Sequence, residues 1–377
     1  MDVRFRKSLA SVRELISRAA AQLSQHPFLP PAPLRNGHSM TLFSFICRRR
    51  FQLAAQSQQV RVFAPEPDVR VLARCHWQPQ RHRKPTVILL HGLEASSEAR
   101  YILGTADKAW QAGFNVVRLN MRGCGGSERL SPSLYHCGLT SDLWFIIREL
   151  IEADGLPELY LIGFSMGGNQ ALKFAGELGD EVPSQLRGVC AVSPPIDLQL
   201  CSEALLRREN FLYERYYLNC LRSKLRRTHH FFPELIELER LNKVRSMADF
   251  DDFAMPLIGF SNVTEYYEQA SALSYLSYLQ IPALIIHAQD DPFIPFAPFT
   301  NDAVRSNPLV LLLAPEYGGH VGFYGQRQPD EDRFWAENRA VDFCSLLSAE
   351  AAVTELRPDL QRASATAVRR LLPAAQS

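Results

Sequence analysis

Between residues 86 and 313 the chain alternates short, almost continuous apolar runs with stretches whose apolar positions recur at helical spacing. The runs are Thr86–Leu90, Phe114–Leu119, Leu159–Ile162, Gly188–Val192, Ala283–His287 and Leu309–Leu313. A strand covered on both faces reads this way, and such strands belong to parallel sheets flanked by helices. Ala99–Ala112, Ser141–Ala153 and Gly168–Leu178 supply helical spacing between them. This βαβα alternation predicts an α/β fold with a mostly parallel, doubly wound sheet. Upstream, Val60–Val62 and Val69–Trp77 read as further strands. In the second, Val69, Val71, Ala73 and Cys75 alternate with Arg70, Leu72, Arg74 and His76, as in a half-buried strand near a sheet edge. Pro65-Glu66-Pro67-Asp68 is the expected turn between the two.

The strand pattern stops near Pro194 and resumes at Ile281, which divides the chain. Residues 31–197 and 279–348 form the two parts of one core. Residues 198–278, rich in Arg, Tyr, Phe and Leu, form a helical insertion. An insertion at the carboxyl ends of the strands lies over the ligand crevice, so it is expected to be a cap. Residues 1–30 form an N-terminal arm ending in the Pro-rich break Phe28–Pro33, and residues 349–377 form a weakly patterned tail. Within the arm, Phe5, Leu9, Val12, Leu15, Ile16 and Leu23 recur at helical spacing among Arg4, Arg6, Lys7, Arg13 and Arg18. Two readings are open: a helix packed on its own domain, or a basic amphipathic helix making peripheral contact with anionic membrane. No apolar run reaches the length of a transmembrane helix.

Charge and cysteines narrow the classes. The formal net charge of +1 gives no basic excess of the kind that nucleic-acid binding relies on. Eight cysteines, none in a C-x-x-C pair, read as reduced thiols, and the expected location is cytoplasmic, with membrane association if the N-terminal helix provides it. No H-E-x-x-H or related pattern occurs, so neither a metal nor another cofactor is expected.

Gly163-Phe164-Ser165-Met166-Gly167 follows the run Leu159–Ile162 and opens a helical segment. In that strand–turn–helix setting G-x-S-x-G is a nucleophile elbow, and Ser165 becomes the candidate nucleophile. A serine hydroxyl needs a base, and the base needs an orienting carboxylate. Asp291 lies just after Ala283–His287 and His320 just after Leu309–Leu313, in the order Ser, Asp, His and on the same sheet edge. Only one of the adjacent Asp290 and Asp291 can point at the histidine. A resemblance to the α/β-hydrolases implies Asp291, since the turn Asp291-Pro292-Phe293-Ile294-Pro295 places it where the acid of that family sits, and leaves Asp290 to the turn or to solvent. His287, inside a strand run, is expected in the core, and His229-His230 on a solvated cap face. The oxyanion hole is expected from the backbone N–H groups of Met166 and Leu93, the latter in the loop His91-Gly92-Leu93-Glu94, with His91 bracing that loop.

Several segments together resemble the YheT-type branch of the α/β-hydrolases, a group of esterases and lipases. They are Asn36-Gly37-His38, His91-Gly92-Leu93-Glu94, Arg122-Gly123-Cys124-Gly125-Gly126, Tyr135-His136-Cys137-Gly138, Phe250-Asp251-Asp252, Tyr266-Tyr267, Asp290-Asp291-Pro292-Phe293 and Gly318-Gly319-His320. The match runs from about Leu34 to Leu347, with departures at Ser39-Met40-Thr41 and at Ala95. The resemblance implies the α/β-hydrolase fold and hydrolysis of carboxylic esters, including lipid esters. The expected reaction passes through an acyl-enzyme on Ser165, with a small-molecule ester or lipid as substrate. Two alternatives stay open: acyl transfer by the same triad to an acceptor other than water, and a non-catalytic scaffold binding a lipid or protein.

Overall fold

The computed structural model describes residues 3–349, with side chains from residue 12 onward. Eight strands form one sheet: β1 (Gln59–Glu66), β2 (Val69–His76), β3 (Thr86–Leu90), β4 (Asn115–Leu119), β5 (Leu159–Phe164), β6 (Leu186–Val192), β7 (Ala283–Ile286) and β8 (Val310–Leu313). Their order is β1-β2-β4-β3-β5-β6-β7-β8. β1 pairs antiparallel with β2, and β2 with β4. All other pairings are parallel. β1 is longer than the pattern suggested: it runs through Pro65 to Glu66, with a register shift between Phe63 and Glu66, which leaves Pro67-Asp68 as the turn. An edge strand with a register shift tolerates the proline because a ladder hydrogen bond is not required there.

The helices before the insertion are α1 (Val3–Leu23), α2 (Gly37–Ile46), α3 (Arg100–Gln111), α4 (Ser141–Glu152) and α5 (Met166–Leu178). Within each central strand successive side chains enter opposite layers. From β3, Ile88 and Leu90 pack with Ile146 and Ile147 of α4 and Ala171 and Leu172 of α5. Val87 and Leu89 pack with Ile102 and Ala106 of α3 and with Phe343 and Leu347 of helix 335–349. Both faces of the sheet are therefore dry, which is why the strands lack polar alternation. Ile16, Ala19 and Leu23 of α1 are buried in the second layer, so part of the apolar stripe of this helix faces its own domain. The side chains of Phe5 and Leu9, and residues 350–377 of the expected tail, lie outside the described residues. Among the described residues no helix is long and apolar enough to cross a membrane.

Between β6 and β7 come α6 (Leu198–Leu205), α7 (Phe211–Phe231), α8 (Leu238–Leu241), α9 (Met247–Ile258) and α10 (Val263–Ala270). They enclose a small core of their own, in which Leu218, Leu225, Leu241, Phe250 and Phe253 meet Leu134. Ser246 starts α9 through a capping box with Asp249, and Gly259 ends it in a left-handed turn. The last part of the expected cap behaves differently. The 3₁₀ segment Ala272–Tyr278 packs on α5, with Ala272 and Leu276 in the sheet-side core.

Candidate active site

Ser165 sits between β5 and α5 with φ 51° and ψ −122°. A non-glycine residue pays for positive φ, and the surroundings must hold it there. The Ser165 N–H donates to the Val192 carbonyl, and the Ser165 carbonyl accepts from the Gly168 and Asn169 N–H groups. The flanking glycines are required by close approach. A Cβ on Gly163 would lie 2.1 Å from the Gly167 oxygen, and one on Gly167 would lie 2.6 Å from the oxygens of both Leu90 and His91. Of the other non-glycine residues with positive φ, Glu94, Ser193, Val321 and Phe323 lie on the loops that converge here. Strain is thus gathered around one spot.

The structure brings Ser165, His320 and Asp291 into a row. His320 Nε2 accepts from the Ser165 hydroxyl at 2.9 Å, and the His320 Nδ1–H donates to Asp291 Oδ2 at 2.9 Å. The other carboxylate oxygen of Asp291 accepts from the backbone N–H groups of Phe293 and Ile294. Because one side of Asp291 faces two donors, its remaining oxygen is committed to the imidazole. The Asp291 side chain is fully buried, and the Phe293 ring lies 4.2 Å from the imidazole, centroid to centroid.

The imidazole loop is held by residues that sequence patterns did not single out. Thr41 Oγ1, on α2, accepts the His320 N–H at 2.8 Å and donates to the Gly37 carbonyl at 2.6 Å. Ser193 Oγ accepts the Val321 N–H. Asp290 lies in the turn, where the sequence put it, and there accepts the Gly319 N–H at 2.9 Å, while its other oxygen is buried. Burial raises its pKa above the ordinary carboxylate value, partly offset by that N–H. Only side-chain contacts across long loop separations reveal these roles, and periodicity carries no trace of them.

The loop after β3 abuts the serine, since a Cβ on Gly92 would lie 3.1 Å from Ser165 Cβ. Leu93, Met166 and Ser165 line one cavity. Among the described residues neither the Leu93 nor the Met166 N–H donates to a protein acceptor. His91 is fully buried and carries a defined tautomer. Its Nε2 accepts the Met121 N–H at 3.1 Å, so Nδ1 holds the proton and donates to the Gly92 carbonyl at 2.7 Å. Burial pushes its pKa down to about 4, so it stays neutral and rigid. Tyr101 accepts the Gly92 N–H, and Tyr135 accepts the Glu94 N–H while donating to Glu94 Oε1. Lys224 of α7 completes this clamp. Its buried Nζ lies 3.4 Å from Glu94 Oε1, 2.9 Å from Cys124 Sγ and 3.8 Å from the centre of the Tyr135 ring.

The cavity holds about 190 Å3 and is walled mainly by apolar side chains, among them Leu198, Leu221, Met255, Ile258 and Phe293. Asp251 is an exception on its wall. Desolvation raises its pKa to about 6, although a hydrogen bond from the Tyr267 hydroxyl at 2.6 Å pulls the other way. His287 is outside the row: it is buried, stacks on Phe299 with centroids 4.0 Å apart, and its Nε2–H donates to the Ile294 carbonyl. His230 is exposed, and His229 Nδ1 meets the Ile236 carbonyl. Among the described residues no group of three or more His, Cys, Asp or Glu side chains is placed to hold a metal ion.

Comparison with known proteins gives the same architecture. Residues 85–325 match a sequence family described as alpha/beta hydrolase fold. The chain is 31% identical to the Escherichia coli K12 protein named "Putative esterase YheT" over 85% of this chain and 93% of that one. It is 34% identical to mouse Phospholipase ABHD3 over 64% of this chain, and the match spans 58% of that relative's length. Among solved structures, the Pyrococcus furiosus esterase Pf2001 superposes with a TM-score of 0.52 at 18% identity, covering 84% of this chain and 96% of its own.

Proposed function

The chain belongs to the alpha/beta-hydrolase family, in its YheT-type branch, and on that premise we propose that it hydrolyses carboxylic esters through an acyl-enzyme on Ser165. The observation that carries this reading is the continuous hydrogen-bonded row from Ser165 through His320 to Asp291. His320 Nε2 takes the hydroxyl proton as Oγ attacks the ester carbonyl. Asp291 keeps the proton on Nδ1 and stabilises the imidazolium that forms. The backbone N–H groups of Leu93 and Met166 receive the oxyanion. The proton on His320 then passes to the departing alkoxide, and a water activated by the same imidazole releases the acid.

The cavity beside Ser165 suits an apolar acyl chain, so medium-length acyl esters are the expected substrates and charged acids are disfavoured. Phospholipase and esterase names among the relatives fit that class. The test is labelling with a fluorophosphonate probe together with a p-nitrophenyl ester series. Wild type should label and prefer medium chains, and Ser165→Ala should do neither. Labelling that survives Ser165→Ala removes Ser165 from the reaction, and an acetate-only profile removes the acyl cavity from the reading.

A further inference from the structure

The helix α2 is apolar on two sides, but only one of them is covered. Its inner side carries Met40, fully buried, and Thr41, which holds the His320 backbone. Its outer side presents Leu42, Phe45 and Ile46, spaced i, i+3, i+4 and 53, 62 and 68% exposed. A short helix with two apolar sides is ordinarily buried all round. The outer side continues onto the start of α7. There Leu212 is 76% and Phe211 53% exposed, and Tyr216 meets Phe45 edge-on with centroids 5.9 Å apart. A second contact between the two helices joins the patch to the site: His38 stacks on Tyr213, Tyr213 packs on Phe293, and Phe293 packs on His320.

Charge around the patch is mainly basic, with five exposed arginines to one exposed acid in residues 36–50 and 207–215. Residues 36–50 contain no acid, and Arg48 and Arg50, after Ile46, are exposed, while Arg49 is withdrawn to pair with Glu337. On the other side, Arg207 and Arg208, just before α7, and Arg215, on it, are exposed. Of the two acids in the same stretch, Glu209 is exposed and Glu214 accepts the Met247 N–H. Exposed aromatic and aliphatic side chains flanked in the chain by exposed arginines match a bilayer surface: apolar tips enter the headgroup–acyl boundary and guanidinium groups meet phosphates.

We propose that the outer faces of α2 and the start of α7 dock this protein on an anionic phospholipid surface, with the mouth of the Ser165 cavity turned towards the bilayer. The benefit of docking rests on the esterase reading, because a substrate held in a membrane would then reach the serine without crossing water. Docking itself does not depend on catalysis.

The experiment uses the full chain carrying Ser165→Ala, sedimented with vesicles of phosphatidylcholine alone or of phosphatidylcholine mixed with phosphatidylglycerol. Binding to the mixed vesicles is expected, and weaker binding to the neutral ones. Phe45→Ser with Leu212→Ser should weaken binding about tenfold or more, because two large apolar side chains no longer leave water. Arg48→Glu with Arg50→Glu should weaken binding to mixed vesicles by roughly tenfold or more and leave neutral vesicles almost unaffected. In the Ser165 background both pairs should keep the kcat/KM of wild type on a soluble p-nitrophenyl ester, which shows that they fold. Equal sedimentation of all variants, or none of the parent, overturns the proposal. So does a parent dimer that Phe45→Ser with Leu212→Ser converts to monomer, since a second copy then covers the patch. Vesicle binding with no ester hydrolysis in the Ser165 protein would leave docking in place and sink the esterase reading alone.

Discussion

Replacing Asp291 by asparagine tests the proton arrangement of the row, and the structure dictates which way the new amide must face. One carboxylate oxygen accepts two backbone N–H groups, from Phe293 and Ile294, and the other accepts His320 Nδ1–H. An asparagine can satisfy both backbone donors only with its carbonyl oxygen. Turning it the other way would set an NH2 group against two buried N–H groups. At about 1–3 kcal/mol for each buried donor left unpaired, that orientation costs roughly 2–6 kcal/mol. The NH2 group therefore faces His320, donates to Nδ1 and drives the imidazole proton to Nε2. In that tautomer Nε2 points a proton at Ser165 Oγ and cannot accept one. The geometry survives while the base is lost.

A substitution of this kind in a serine hydrolase lowers kcat by about 10⁴, or roughly 5 kcal/mol of transition-state stabilisation. The assay is kcat/KM on a soluble p-nitrophenyl ester, alongside the rate of fluorophosphonate labelling and the thermal midpoint. The two backbone donors and Nδ1 stay paired and only the second amide N–H is left buried, at about 1–3 kcal/mol, so the midpoint should fall by no more than several degrees while activity collapses. Asp290→Asn is the internal control. Its Oδ1 accepts a single N–H, from Gly319, which an amide oxygen accepts equally well, so its loss should stay within about tenfold. Less than about a tenfold loss in Asp291→Asn, or a larger loss in Asp290→Asn, would refute the assignment of the acid.

Three further outcomes follow from the same geometry. Lys224→Met strips the cation from a Glu94 side chain that is 7% exposed; urea unfolding should register about 3–5 kcal/mol of lost stability, and adding Glu94→Gln should restore part of it. If the clamp also positions Leu93, kcat should drop with little change in KM, and Lys224→Arg should recover it. Burial holds His91 and His287 at about 4, so below pH 6.5 the unfolded chain binds protons that the folded chain refuses. Their stabilisation is complete above about pH 6.5 and is lost as pH falls towards 4, by up to about 3 kcal/mol each, as urea midpoints across that range should record. Asp251, raised to about 6 on the cavity wall, should make the preference for long over short acyl esters decline as pH rises through that value, and a flat ratio in wild type or a sloping one in Asp251→Asn would contradict it.

Much of the fold was legible because burial on both faces leaves a mark in composition. Each of the parallel strands was visible as an apolar run: the run Thr86–Leu90 coincides with β3, those for β4, β7 and β8 extend one residue past the strand, and those for β5 and β6 stop two residues short at one end. The three residues of the row were legible for a related reason: the sheet places successive strand ends along one edge, so a residue's position after its run already fixes which edge it occupies. What composition could not give is anything decided by contact between loops distant in the chain. Ser39-Met40-Thr41 read as a departure from a family pattern, yet Thr41 reaches across 279 positions to hold the His320 backbone. Lys224 drew no reading within the insertion, yet it is buried against Glu94, Cys124 and Tyr135. Asp290 and Asp291 differ in role only because Phe293 and Ile294 turn their N–H groups towards one and Gly319 towards the other. The positions of Ser165, Asp291 and His320 thus follow from strand order, while the residues that hold them follow from packing, which a linear pattern does not encode. The patch on α2 and α7 belongs to the second kind. Leu42, Phe45 and Ile46 drew no reading of their own; the structure shows one side of their helix holding the imidazole loop and the opposite side exposed.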